Sequence, residues 1–180
     1  TWGRTRDEAI AGMGRSLEDF HIEGLGHNVP FLSAVMDHPV FQSGKLATSF
    51  IADEYPEGFQ GVPPTEDSLE IATVAAAAMH LTQVERAGGT RKDWVVVIGH
   101  RQTPAAIART GDGVTVDFGA GKTLNLTDIV WRPGQPLLRG KLDGKAFTVT
   151  VKPAAEGFFI RHRGTSLKVL VLTPRSAELH

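Results

Sequence analysis

Apolar positions change their spacing part-way along the chain. Up to about residue 86 they recur every three or four residues, the period of a helix; from Trp94 onward they recur at every second residue, the period of a strand. Thr5 to Phe20 reads as the first helix, with Ala9, Ile10, Met13, Leu17 and Phe20 on one face and Thr5 and Glu8 spaced as a capping box. Gly12 and Gly14 weaken it by up to about 1 kcal/mol each relative to Ala. The short extended piece "FHIEG" follows. Asn28 is placed to cap a second helix, with Pro30 in its first turn and Phe31, Leu32, Val35 and Met36 on the buried side. "DHPVFQSG" predicts a single-turn helix that stops at Gly44.

Neither period holds over "SFIADEYPEGFQG", Ser49 to Gly61. Here Phe50, Ile51, Tyr55 and Phe59 interleave with acidic residues, and Pro56, Gly58 and Gly61 punctuate the run. After the Pro-rich "VPPTED", Asp67 and Glu70 are spaced as a second capping box, opening a helix from about Ser68 to Arg86. Leu69, Ile71, Val74, the alanines 75–78, Met79, Leu81 and Val84 make it apolar nearly all round. Such a helix is expected inside something, and its alanines keep it thin.

"RAGGTRKD" ends the helical part. Strands are predicted at Trp94–Ile98, about Arg101–Arg109, Val114–Phe118, Lys122–Leu126, Ile129–Arg132, Leu137–Leu142, Lys145–Val151, Phe158–His162 and Thr165–Leu172. Asp143-Gly144 is a strong hairpin signal, because a tight type I′ turn needs positive φ at both central residues. Eight or nine short strands joined by hairpins form an antiparallel meander, and closure into a barrel removes its edges. The fold class expected is α+β: a long apolar helix enclosed by an eight-stranded antiparallel β-barrel, preceded by a small helical segment.

Composition is that of a globular chain of one ordinary or two small domains, with 180 residues and 41% hydrophobic content. The absence of Cys removes disulfides and thiolate metal sites. The N-terminal text is charged and lacks the apolar core of a signal peptide. The apolar run Ile71–Val84 is shorter than the about 20 residues a membrane span needs. Charge is unevenly placed. Residues 1–90 carry 5 basic and 13 acidic side chains, net −8, and residues 91–180 carry 14 and 7, net +7. Such asymmetry points to two units, or to surfaces meant for different neighbours.

Candidate chemistry is sparse. "GAGKT", Gly119–Thr123, resembles the end of a phosphate loop, but Val116 stands where the motif needs its first glycine, and strand-like text follows where it needs a helix. It reads as a hairpin turn. The seven His lack metal-ligand spacing, and His80 on the apolar helix is expected to be packed or hydrogen-bonded. Asp53, Glu54 and Glu57 read as a solvated loop or protein contact. No nucleophile elbow is present. The reading therefore assigns no catalytic, cofactor-binding or metal residue. The basic excess of the barrel (Arg161, Arg163, Lys168; Arg139, Lys141, Lys145) raises an alternative, a β-barrel binding single-stranded nucleic acid; a lipid or small-ligand barrel is a further rival, whose hollow interior the helix would fill.

At "TRDEAIAGMGRSLEDFHIEGLGHNVPFL" and "HPVFQSGKLATSFI" the chain resembles the C-terminal end of biotin carboxylase domains, which carry "IEGVKTNIPFL"-like text. Gly26-His27 departs from the usual Lys-Thr. "DEYPEGFQG" and "GTSLKVLVLTPRSAEL" resemble the alpha subunits of propionyl-CoA carboxylases, biotin-dependent acyl-CoA carboxylases. The resemblance covers essentially the whole chain. It implies residues 1–52 as the end of a biotin carboxylase domain, 53–66 as linker, and 67–180 as a mediating BT domain, with its helix at about 68–86 and barrel at about 93–173. It further implies a ligase of which this segment is a non-catalytic middle part, missing the upstream ATP-grasp core and the downstream "AMKM" biotin acceptor. Biotin, ATP and Mg or Mn would serve the full-length enzyme and not these residues. The implied partners are the carboxyltransferase beta subunit and, in cis, the biotin carboxylase and biotinyl domains, with no membrane. The implied setting is the cytoplasm, or the mitochondrial matrix in a eukaryote. Ala87, Gly88, Gly89, Thr90, Arg91, Lys92 and Asp93 would be the family's hook onto the beta subunit. Phe50, Ile51, Tyr55, Pro56 and Phe59 would form the seam between domains.

Overall fold

Eight strands close into one antiparallel barrel in sequential order. The computed structural model describes all 180 residues. The strands are β1 Asp93–Ile98, β2 Arg101–Thr110, β3 Gly113–Asp117, β4 Thr123–Val130, β5 Leu137–Leu142, β6 Lys145–Ala154, β7 Gly157–His162 and β8 Thr165–Leu172. The β1–β8 pairing, Val95 opposite Leu172 through Ile98 opposite Val169, closes the cylinder. No strand edge is left unpaired, the physical reason for closure. Turn chemistry sets the register locally. Asp143 and Gly144 both have positive φ, 46° and 85°, and so do Arg163 and Gly164 at the β7–β8 turn, 46° and 78°.

The two short strands expected around residues 122–132 are one. Lys122–Leu126 and Ile129–Arg132 merge into β4, which pairs with β5 across a register shift between Thr127 and Val130. Asp128 takes φ 52° at that shift, and its carboxylate receives Lys141 Nζ at 2.8 Å. The strand bends at a bulge and does not stop, so the polar pair Thr127-Asp128 looks like a turn in sequence alone.

Helices α1 Arg6–Asp19, α2 Val29–Asp37 and α3 Pro39–Ser43 precede the barrel, α3 ending at Gly44 with φ 75°. The run Ser49–Gly61 is not wholly irregular, since Phe50–Glu54 forms a one-turn helix, α4. Helix α5, Glu66–Arg86, starts two residues earlier than a box of Asp67 and Glu70 implies. Thr65 and Ser68 form the capping box reciprocally, and Glu66 and Asp67 fall in the first turn. Thr65 has the extended backbone a cap requires, and its hydroxyl reaches the Ser68 amide. Asn28 occupies the cap position of α2 without a side-chain cap bond. At α1, Thr5 caps the Glu8 amide, but Glu8 returns to the amide of Arg4, one residue before the box position.

On α5, Val74, Ala75, Ala76, Ala77 and Met79 are fully buried. They share one core with the inward-facing Ile107, Val116, Leu126, Leu138, Val149, Ile160 and Val169 of the barrel, and α5 packs against β2 to β8. A short helix beyond the predicted barrel, α6 Pro174–Ala177, lies on the outer face, where Ala177 packs on Val95, Val97 and Leu170.

Part of the charge asymmetry resolves as an internal contact. Acidic α1 and α2 lie against the basic turns and strands β5 to β8: Asp19 Oδ1 accepts from Arg139 Nε at 3.0 Å and from Thr148 Oγ1 at 3.2 Å, and Arg163 lies 3.9 Å from both Glu18 and Asp37. Gly164 fits under the Pro30 carbonyl, with only 2.8 Å for an added Cβ, and Thr165 Oγ1 donates to the Val62 carbonyl. Strand alternation then defines two ends. The β5–β6 and β7–β8 turns, with α1 and α2, stand at the end where α5 begins; the β2–β3, β4–β5 and β6–β7 turns stand at the end where α5 leaves.

Candidate functional site

Residues 87–92 leave α5 at the end of the barrel away from α1 and α2, and all are exposed. The exit is tightly built. The Gly89 amide donates to the Val84 carbonyl at 2.8 Å, and the Gly88 amide to Glu85 at 3.0 Å. Gly88 takes φ 77°, and a Cβ on Gly89 would meet Val84 Cγ1 at 2.6 Å. Backbone carbonyls anchor the far side: Arg91 accepts from Trp94 Nε1 at 3.2 Å, and Lys92 from the Ile107 amide at 2.8 Å. The Arg91 and Lys92 side chains reach no carboxylate, whereas nearby Arg109 makes a bidentate pair with Glu85. The loop is thus held by its main chain and presents two free cations to solvent. Asp93, also exposed, is the first residue of β1.

Phe50, Tyr55 and Phe59 join Phe31 and His38 in one aromatic cluster. Phe31 meets Tyr55 edge-on at 5.2 Å and Phe59 at 5.5 Å, and His38 meets Phe50 at 5.3 Å. The rings therefore rest on α2 and the turn before α3. Ile51 and Pro56 point to solvent. The barrel reaches this segment through Arg163, which lines the same small cavity as Tyr55, Phe59 and Val62. Burial, then Glu54, raises the Tyr55 hydroxyl pKa. Two of the three acids of this run have partners: Asp53 accepts from Ser49 Oγ at 2.6 Å, and Glu54 faces His38 at 3.4 Å, while the Glu57 side chain is exposed.

Polar chemistry missed in the sequence sits between α1 and the barrel. Glu18 Oε1 lies 3.2 Å from His162 Nε2, with the side chains 11% and 5% exposed. Burial pushes the Glu18 carboxyl up to about 7, against the pull of Arg163. Burial, aided by Arg163, pushes His162 down to about 4. The pair borders a cavity of about 760 Å³ between α1, α2 and the β5–β6 turn. Nothing in the local sequence around Glu18 distinguishes it from a solvated helix acid. His80 packs edge-on against Trp94 at 4.2 Å, and burial lowers its pKa. "GAGKT" is the β3–β4 turn leading into a strand, and Lys122 Nζ contacts Glu70 at 2.8 Å and Glu66 at 3.7 Å. A lysine already paired with two carboxylates, followed by strand β4 where the motif needs a helix, does not fit a nucleotide phosphate.

A family model for the propionyl-coenzyme A carboxylase BT domain matches residues 72–180, most of α5 and the whole barrel. The chain belongs to this family. A second model, for the biotin carboxylase C-terminal domain, matches residues 1–53, the segment of α1 to α4. The propionyl-CoA carboxylase alpha chain of Ruegeria pomeroyi is 45% identical over 99% of this chain and 28% of its own length. The mitochondrial propionyl-CoA carboxylase alpha chain of Rattus norvegicus is 30% identical over the full chain and 26% of its own length. The biotin carboxylase of Halalkalibacterium halodurans is 47% identical over 27% of this chain and 11% of its own length. The chain thus spans about a quarter of the length of the alpha chains it matches. Within the BT barrel of this family member, no three His, Asp or Glu side chains are grouped to hold a metal ion. No helix is long and apolar enough to cross a membrane.

Proposed function

We propose that this segment is a mediating scaffold of a biotin-dependent propionyl-CoA carboxylase alpha subunit. It docks the alpha subunit onto the carboxyltransferase beta subunit so that a tethered biotin visits both active sites. Tethering of this kind works through effective concentration and fails when the span is wrong. The domain limits that go with it are 1–52, 53–66 and 67–180. In this reading α5 is enclosed by the barrel as an internal strut. Its fully buried alanines and its packing against β2 to β8 support that. Carboxylation of biotin with ATP and a divalent cation, and transfer to propionyl-CoA, are then tasks of the parts outside these residues. The setting is cytoplasmic, or the mitochondrial matrix for a eukaryotic enzyme, as the name of the rat relative suggests.

One observation carries the docking role. Loop 87–92, with its hydrogen-bonded main chain and unpaired Arg91 and Lys92, projects from the opposite end of the barrel to α1 and α2. Helix α5 has 21 residues, so it separates the two by about 30 Å at 1.5 Å per residue. A barrel with one end on the biotin carboxylase segment and the other free is a spacer of defined length. Phe50, Tyr55 and Phe59 would hold the near end of that spacer, with Ile51 and Pro56 on its outer side.

The test is association of the chain with the beta subunit in sedimentation or interferometry. Arg91→Glu combined with Lys92→Glu is expected to weaken it about tenfold or more, as charge reversal in an interface does. Deletion of 88–90 is expected to abolish it. Unchanged association in both would refute the hook.

The nucleic-acid reading keeps only half of its six cations, since Arg161, Lys168 and Lys145 stay unpaired and the other three do not. Arg139 is paired with Asp19, Lys141 with Asp128 and Arg163 with Glu18 and Asp37.

A further inference from the structure

The outer face of β6, β7 and β8 keeps its charge. Pairing places Lys152 opposite Phe159, and Phe159 opposite Lys168, so one exposed ring sits between two lysines on adjacent strands. In the next outward row Thr150 faces Arg161, and Arg161 faces Ser166. Arg161 Nη2 donates to Thr150 Oγ1 at 3.3 Å, and no carboxylate lies within ion-pair distance of Lys152, Arg161 or Lys168. Half-burial without a counter-charge lowers the Arg161 pKa. The α1–α2 connection forms the other wall of a groove of about 270 Å³, contributing Ile22 and Glu23; Lys152, Phe159 and Arg161 line it, and Lys168 stands beside it on β8. Glu23 turns to His21 at 3.7 Å and leaves the three cations uncompensated.

We propose that this groove docks an extended acidic segment of a partner protein, with one apolar side chain of that segment on Phe159. Lys152 and Lys168 stand two strands apart, about 10 Å. With Arg161 in the neighbouring row, three unpaired cations are spread over this face, a distribution that matches a segment carrying several acids. Phe159 is 48% exposed and Ile22 37%, which adds an apolar requirement that a free anion does not meet. Single-stranded nucleic acid needs a run of stacking rings, and this face offers the single ring of Phe159. The groove lies on the barrel wall, apart from the loop at 87–92, so the site stands independently of the hook.

The test uses the 180-residue chain and a fluorescein-labelled peptide with four glutamates around one leucine. Anisotropy in low salt is expected to give saturable binding that weakens steeply as salt rises. Lys152→Glu with Lys168→Glu is expected to weaken it about tenfold or more, and Phe159→Ala about threefold. Lys45→Glu, an exposed site on the front segment, should change nothing. All these positions except Phe159 are charged surface sites, and circular dichroism checks that each variant folds. Amide shifts of the labelled chain should fall on β6 to β8. Binding that ignores the double reversal overturns the proposal. So does equal binding of the glutamine version of the peptide, or tighter binding of a ten-nucleotide oligo-dT.

Discussion

Glu18 of α1 and His162 of β7 meet at 3.2 Å across the boundary between the front helices and the barrel, both nearly removed from water. Burial moves their pKa values past each other, Glu18 from 4.5 to about 7 and His162 from 6.5 to about 4. A raised acid holds its proton longer in the folded chain, so its contribution is full at low pH and is lost as pH rises towards 7. A lowered His is the reverse: its contribution is full above 6.5 and is lost as pH falls towards 4. Between about 4.5 and 6.5 the two slopes oppose, and the intact pair should leave urea stability nearly flat with pH. Glu18→Gln should unmask the His, so that stability rises from pH 4 to 6.5. His162→Asn should unmask the acid, so that stability falls from pH 4.5 to 7. Each slope is worth up to about 3 kcal/mol over its window. Parallel curves for both variants would sink this assignment.

The Asp19–Arg139 contact, although short at 2.9 Å, is half exposed on both sides. Water screens it, so a double-mutant cycle with Asp19→Ala and Arg139→Ala should return less than about 1 kcal/mol of coupling. The coupling should vanish in 1 M salt. A value that persists in high salt would mean that the direct Arg139 Nε to Asp19 hydrogen bond, and not screened charge, holds the pair.

Two glycines with positive φ should respond differently to Ala. At Gly157, φ 100°, a Cβ would run into the Val169 carbonyl, whereas Gly121, φ 82°, opens to solvent. Gly157→Ala combines backbone strain with a backbone clash and should cost about 2–4 kcal/mol, Gly121→Ala about 1 kcal/mol. Thermal melts of the two variants give the ranking directly.

The thinness of α5 is testable at Ala76, which is fully buried. Ala76→Leu adds volume where strand side chains already fill the space and should cost at least about 1–3 kcal/mol. Met79→Ala leaves a cavity in the same core and should cost about 2–5 kcal/mol. Denaturant midpoints measure both. A neutral Ala76→Leu would mean room around the helix that its burial does not suggest.

What the sequence determined by itself is whatever depends on neighbours a few residues apart. The change of apolar period at residue 93, the Asp143-Gly144 turn and the Gly44 helix stop are local, and the barrel strands, turn and stop stand in place. The GAGKT turn was legible for the same reason, since strand alternation follows it. Tertiary structure decided the rest. Thr127-Asp128 breaks the period in sequence, yet β5 carries β4 through it because Lys141 reaches Asp128 across the bulge. The acid excess of the front and the basic excess of the barrel are visible as counts, but that Asp19 finds Arg139 follows from how α1 lies on the barrel. Glu18 and His162 carry no local mark, because desolvation and pairing are properties of the two surfaces brought together and of neither segment alone.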